Sequence, residues 1–158
     1  MLDLSSQPKF NKALLTIRIV YFAFIISLAM YLFIPNIIIK LGNGNFEGLA
    51  NFKEADLLKN MLYLISGLTV VVILILRRFL TNPHKMPAST VNELLKGLIS
   101  GNTVIFVLCE TLALYGLVLF SIAGMLKEFY FLVGLSFILL FICFPNRAQW
   151  EESVRQFS

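Results

Sequence analysis

Charge is what this chain has least of. Only 14% of its 158 residues are Asp, Glu, Lys or Arg, against 58% hydrophobic. A soluble domain has about 25% charged and roughly 45–50% apolar residues, and so few charged groups could not cover the surface of a water-exposed fold of this length. The mean hydropathy is +0.83. Histidine is reduced to His84, alone in a polar stretch, and cysteine to Cys109 and Cys143, both inside apolar runs and without a CxxC pair. This argues against a disulfide framework or a zinc site and leaves two buried structural thiols. The chain has no glycine-rich phosphate loop, no nucleophile–base pair and no paired carboxylates within its apolar runs, so no enzyme activity, metal or cofactor is expected. Its basic residues are scattered between the apolar runs, which removes nucleic acid as a partner.

What is present is a set of long uncharged stretches. A bilayer core of about 30 Å takes roughly 17–25 helical residues. Stretches at approximately 19–39, 61–76, 99–124 and 129–145 answer to that, followed by a tail at 147–158. The expected fold is all-α: one polytopic membrane domain, a four-transmembrane-helix bundle. The second stretch is short, but Lys59, Arg77 and Arg78 beside it can snorkel to the interface. Pro35 is expected to kink or end the first helix. The first apolar run exceeds the roughly 7–15 residues of a signal peptide, and no small-x-small cleavage site follows, so it is expected to be retained.

Orientation follows from the basic residues. Nine of the 13 (Lys9, Lys12, Arg18, Arg77, Arg78, Lys85, Lys96, Arg147 and Arg155) fall on one side of the spans, and Lys40, Lys53, Lys59 and Lys127 on the other. By the positive-inside rule both termini face the cytoplasm, in a bacterial inner membrane or its equivalent. The Arg77-Arg78 pair reads as an anchor, since an anionic-lipid site wants a larger cluster.

The connections carry their own signals. Residues 41–60 open on a Gly-Asn-Gly-Asn turn and then place Phe46, Leu49 and Phe52 among charges, as an outer interfacial segment would. After Pro83 and Pro87, Thr90 and Glu93 have capping-box spacing, so the third helix should start near Val91. Trp150, Val154 and Phe157 fall at i, i+4 and i+7, opposite Glu151, Glu152 and Arg155; this predicts a short amphipathic helix at the headgroups with Trp150 in the aromatic belt. Ser27-Leu28-Ala29-Met30-Tyr31 is similar to Thr111-Leu112-Ala113-Leu114-Tyr115, and Tyr63, Gly67, Leu68 and Thr69 match Tyr130, Gly134, Leu135 and Ser136 in spacing. Two tandem helical hairpins of one orientation would explain the pattern.

Glu110 is the only ionisable carboxylate in the third span. It lies 14 residues from Lys96 and 17 from Lys127, about 21 Å and 26 Å along a helix, and therefore near mid-depth. A carboxylate there costs several kcal/mol, about 2.5–3.5 for Asp on insertion scales. No Lys, Arg or His occupies another span, so the group is expected as the neutral acid, hydrogen-bonded to hydroxyls. Thr111, Ser27, Ser66, Thr69, Ser136 and the span tyrosines are candidates. Cys109, Ala113, Gly116 and Ala123 form a small-residue stripe beside it, and Gly97 and Gly101 a small-xxx-small pair nearer the start of the helix. Ala113, Gly116, Gly97 and Gly101 are the expected helix-packing positions.

The segment Cys109-Glu110-Thr111-Leu112-Ala113-Leu114-Tyr115-Gly116-Leu117-Val118 resembles the carboxylate helix of rotor-ring proteolipids, the c subunits of rotary ATPases. The resemblance covers about 25 of the 158 residues. It implies that Glu110 binds a proton or cation, with Thr111 and Tyr115 nearby. The basic loop joining the second and third spans also fits a c-subunit hairpin. Unlike that family, the second span here has only Gly67, the first has no glycine, and a fourth span follows the carboxylate helix.

Two function classes remain open: a proton- or cation-binding subunit or carrier, and a structural or accessory subunit in which protonated Glu110 fixes helix packing. In either, the expected partners are the lipid bilayer and further membrane subunits, either copies of this chain or others.

Overall fold

The computed structural model describes residues 7–41, 46, 48, 49, 55–80 and 90–157. The turn at 42–45, Phe52, the segment from Pro83 to Pro87 with His84 and Lys85, and the side chain of Phe157 lie outside them. The described elements are all helical: α1 Gln7–Leu41, α2 Ala55–Leu80, α3 Val91–Ala123, α4 Leu126–Ile142 and α5 Arg147–Phe157. α1, α2 and α3 are long and apolar enough to cross a membrane. α4 has 17 residues, about 25 Å, at the short end of what a bilayer core requires.

The start and stop of α3 follow local chemistry. Thr90 is extended (φ −137°, ψ 156°), and its Oγ1 accepts the Glu93 N–H at 3.3 Å, which satisfies one of the open donors of the first turn. At the other end Gly124 takes the left-handed conformation (φ 67°) and donates its N–H to Phe120 O at 2.9 Å, a glycine C-cap. The chain turns there directly into α4, so α3 and α4 form a tight antiparallel hairpin.

Pro35 neither ends nor breaks α1, which continues through it to Leu41. Proline lacks the N–H that would bond the Tyr31 carbonyl one turn back, and the helix carries on without that one bond.

α3 is the centre of the molecule. α1, α2 and α4 each pack along it, α5 touches it, and α1 also meets α4. α1 and α2 make at most marginal contact with each other. The expected pair of equivalent hairpins is therefore not what forms, because α2 turns its buried Ser66, Thr69 and Ile73 toward α3 instead of α1.

At one end, Lys59 of α2 and Glu128 of α4 form an ion pair at 3.5 Å. Beside it Phe46 stacks on Phe120, with ring centroids 4.9 Å apart, and Leu49 N–H donates to Ser121 O at 2.8 Å. Gly48 has φ +94°, and a Cβ on it would collide with the Ile122 carbonyl. This piece of the first loop is seated on the end of α3 and does not float as an interfacial segment, although Leu49 itself stays exposed.

At the opposite end, Trp150 is turned toward the protein and not toward lipid. Trp150 and Val154 are 4% and 0% exposed and belong to one cluster with Phe10, Ala13, Leu14, Leu94 and Leu98. α1 starts at Gln7 and α3 at Val91, both well before their apolar spans. Those extensions carry apolar faces, and α5 packs against that of α3.

Candidate functional site

Polar side chains on a lipid-embedded helix usually bond their own backbone one turn back. Three on α3 do so: Asn102 to Leu98 O at 2.8 Å, Thr103 to Ile99 O at 2.9 Å and Thr111 to Val107 O at 2.8 Å. Glu110 instead reaches across to α1. Ser27 and Tyr31 stand one turn apart there, on one face of the helix, and both hydroxyls donate to Glu110 Oε1. The Tyr31 bond is 2.9 Å, and the Ser27 bond is short. Oε2 takes no hydrogen bond from the described residues, and no ion pair engages Glu110 among them.

The carboxyl is half-buried and lines an open cleft of about 230 Å³ between α1 and α3, with Ala23, Phe24 and Ser27 as its other walls. A water molecule occupies about 30 Å³ in the liquid, so the cleft has room for several waters or for a solvated ion. Chemically, Oε1 is fixed as an acceptor by two hydroxyls while Oε2 is left to carry a proton or to face a cation. No group of three or more His, Cys, Asp or Glu suited to a metal exists among the described residues.

Of the residues singled out from the sequence, Glu110 and Ser27 are brought together. Thr111 is occupied with Val107 O, and Tyr115 packs against the hydrophobic core; neither contributes a hydrogen bond to Glu110. Thr69 donates to Ile65 O one turn back at 2.9 Å, Ser136 donates to Cys109 O at 2.5 Å, and the buried Ser66 hydroxyl has no hydrogen-bond partner among the described residues. Tyr31 was legible only as one of several tyrosines. The signal that could have picked it out is its i+4 spacing from Ser27.

The small-residue stripe faces α4. Cys109, Ala113 and Gly116 are fully or almost fully buried, and a Cβ on Gly116 would stand 3.1 Å from Phe129 O and 3.2 Å from Phe129 Cα. Gly101 receives the Leu80 side chain of α2, while Gly97 is exposed. Gly116 and Gly101 thus serve packing within one chain. Cys109 and Cys143 are both buried and unbridged. The chain matches no family model, and no curated protein or solved structure is detectably similar to it.

Proposed function

We propose that this chain is a four-span membrane protein in which Glu110 binds and releases a proton, or a cation in its place, acting as a subunit or small carrier. The observation that carries the reading is the arrangement at Oε1: two hydroxyls from α1 hold a mid-depth carboxyl, and its cleft leaves the group reachable. An intramembrane ionisable residue marks an ion or proton path by default. The likeness of residues 109–118 to the carboxylate helix of rotor-ring proteolipids supports the same chemistry. Ser27 and Tyr31 take the supporting positions that the resemblance assigned to Thr111 and Tyr115.

The test is a hydrophobic carbodiimide, which reacts with protonated carboxyls in lipid. Glu110 should be modified, with labelling falling as pH rises, and Glu110→Gln should abolish it. Sodium should protect the site if it replaces the proton. A Glu110 that stays unreactive across the pH range would end the proposal.

A second reading is favoured by the same two hydrogen bonds, since they tie α1 to α3. Glu110 would then be a neutral clasp in a structural or accessory subunit, and Glu110→Gln would assemble normally with no pH-dependent labelling in the parent. Under both readings the chain associates in the membrane with copies of itself or with other subunits.

In this reading α4 is the fourth span, and the excess of basic residues places both termini in the cytoplasm. Cysteine at Leu49, labelled by an impermeant maleimide in intact cells, should react from outside, and cysteine at Asn92 should not. Reaction of both from one side would overturn the topology.

A further inference from the structure

A second cleft lies between the beginnings of α1 and α3. It has a volume of about 350 Å³. Lys9 and Lys12 of α1 and Lys96 of α3 converge on it, with Asn92 beside them and Leu95 and Ile99 as apolar walls. No ion pair occupies any of the three lysines among the described residues, and Glu93, the nearest acid on α3, does not line the cleft. Three cations around a partly apolar hollow have no ion-pair partner among the described residues, which suits an anion with an apolar portion.

The depth of the cleft identifies its source. Lys96 lies 14 residues before Glu110, about 21 Å along the helix. The bilayer with its headgroups is about 40–45 Å thick, so its surface lies roughly 20–22 Å from the midplane. The lysines therefore stand where lipid phosphates do. The helix rows that form the cleft, Lys9, Lys12 and Thr16 on α1 and Asn92, Lys96 and Ile99 on α3, repeat every three or four residues. Continued at the same spacing along the two helices, the rows reach Ser27 and Glu110, which line the other α1–α3 cleft.

We propose that this cleft binds the phosphate headgroup of an anionic phospholipid, with an acyl chain laid along the α1–α3 seam. The inference rests on the helices spanning a bilayer with Glu110 at mid-depth, and not on Glu110 exchanging a proton. Lysine ammonium groups and the Asn92 amide are donors suited to phosphate oxygens.

The experiment titrates dioleoyl phosphatidylglycerol, dioleoyl phosphatidylcholine or inorganic phosphate into the full chain in neutral detergent, read by native mass spectrometry. The parent should retain phosphatidylglycerol roughly tenfold or more tightly than phosphatidylcholine. The Lys9→Gln/Lys96→Gln variant should lose that preference, while Lys40→Gln/Lys127→Gln, with the same change in charge, and Lys9→Arg/Lys96→Arg should keep it. Equal loss in both glutamine pairs would reduce the effect to general charge and overturn the site. So would an unaltered preference in Lys9→Gln/Lys96→Gln, or inorganic phosphate competing as well as the lipid. Because carbodiimide labelling of Glu110 is measured separately, failure of this proposal leaves the ion-binding reading to stand or fall by itself.

Discussion

Ser27→Ala combined with Tyr31→Phe is expected to destabilise the folded protein by about 1–3 kcal/mol. The two hydroxyls are the hydrogen-bond partners of Glu110 among the described residues, and an acceptor left unsatisfied away from water costs about 1–3 kcal/mol. Interhelical bonds in membrane proteins measure about 0.6 kcal/mol on average and 1.7 at most, so two of them come to about 1–3 kcal/mol. The informative comparison is a third change, Glu110→Met, in the same background. Removing both sides of a hydrogen bond is far less costly than removing one, so the triple variant should recover most of the loss. Unfolding in detergent or bicelles measures the cycle. Strict additivity of the three substitutions would show that the carboxyl and the hydroxyls are not coupled. The double variant should also change the rate of carbodiimide modification, because Oε1 loses both of its fixed donors.

Gly116→Leu should be more damaging still, by about 3 kcal/mol or more. A Cβ on Gly116 meets backbone atoms of α4 at 3.1–3.2 Å, and backbone cannot rotate aside as a side chain tip does. Overpacking a tight contact typically costs about 1–3 kcal/mol, occasionally more. Here a whole isobutyl group would push α4 off the helix that carries Glu110 and strain the bond from Ser136 to Cys109 O. Gly67 is the control: it is also a helical glycine in a spanning segment, but nothing lies within 4 Å of the place its Cβ would take. Gly67→Leu should stay within about 0.5 kcal/mol of the parent. Equal stability of the two leucine variants would refute the close approach of α3 and α4.

The parts of this molecule legible in its sequence are those governed by the solvent and by local chemistry. The scarcity of charge marked the apolar helices, Thr90 and Glu93 marked the start of α3, and the isolation of Glu110 among apolar residues marked the centre of the site. What could not be read was rotation about the helix axes. In lipid, a side chain facing another helix and one facing acyl chains are equally apolar, so nothing in α1 distinguished buried Leu28 from exposed Ile26. For that reason Tyr31 went unsingled and Thr111 was favoured as a neighbour of Glu110 when its hydroxyl is satisfied by its own helix. Pairing of elements was hidden too. Trp150 has the spacing of an interfacial residue, and only the long extensions of α1 and α3 explain why it is buried instead.

The central place of α3 has a consequence for how substitutions combine. α1 and α2 share almost no surface, so each communicates with the other through α3, and through α4, which α1 meets and to which Lys59 of α2 is paired. Perturbations on the two outer helices that share no neighbour on α3 or α4 act as independent variables, as expected for residues without common partners. Pairs that straddle α3 do not have that freedom. Epistasis is therefore expected to concentrate in the α3–α4 hairpin, and above all in α3, which bears Glu110.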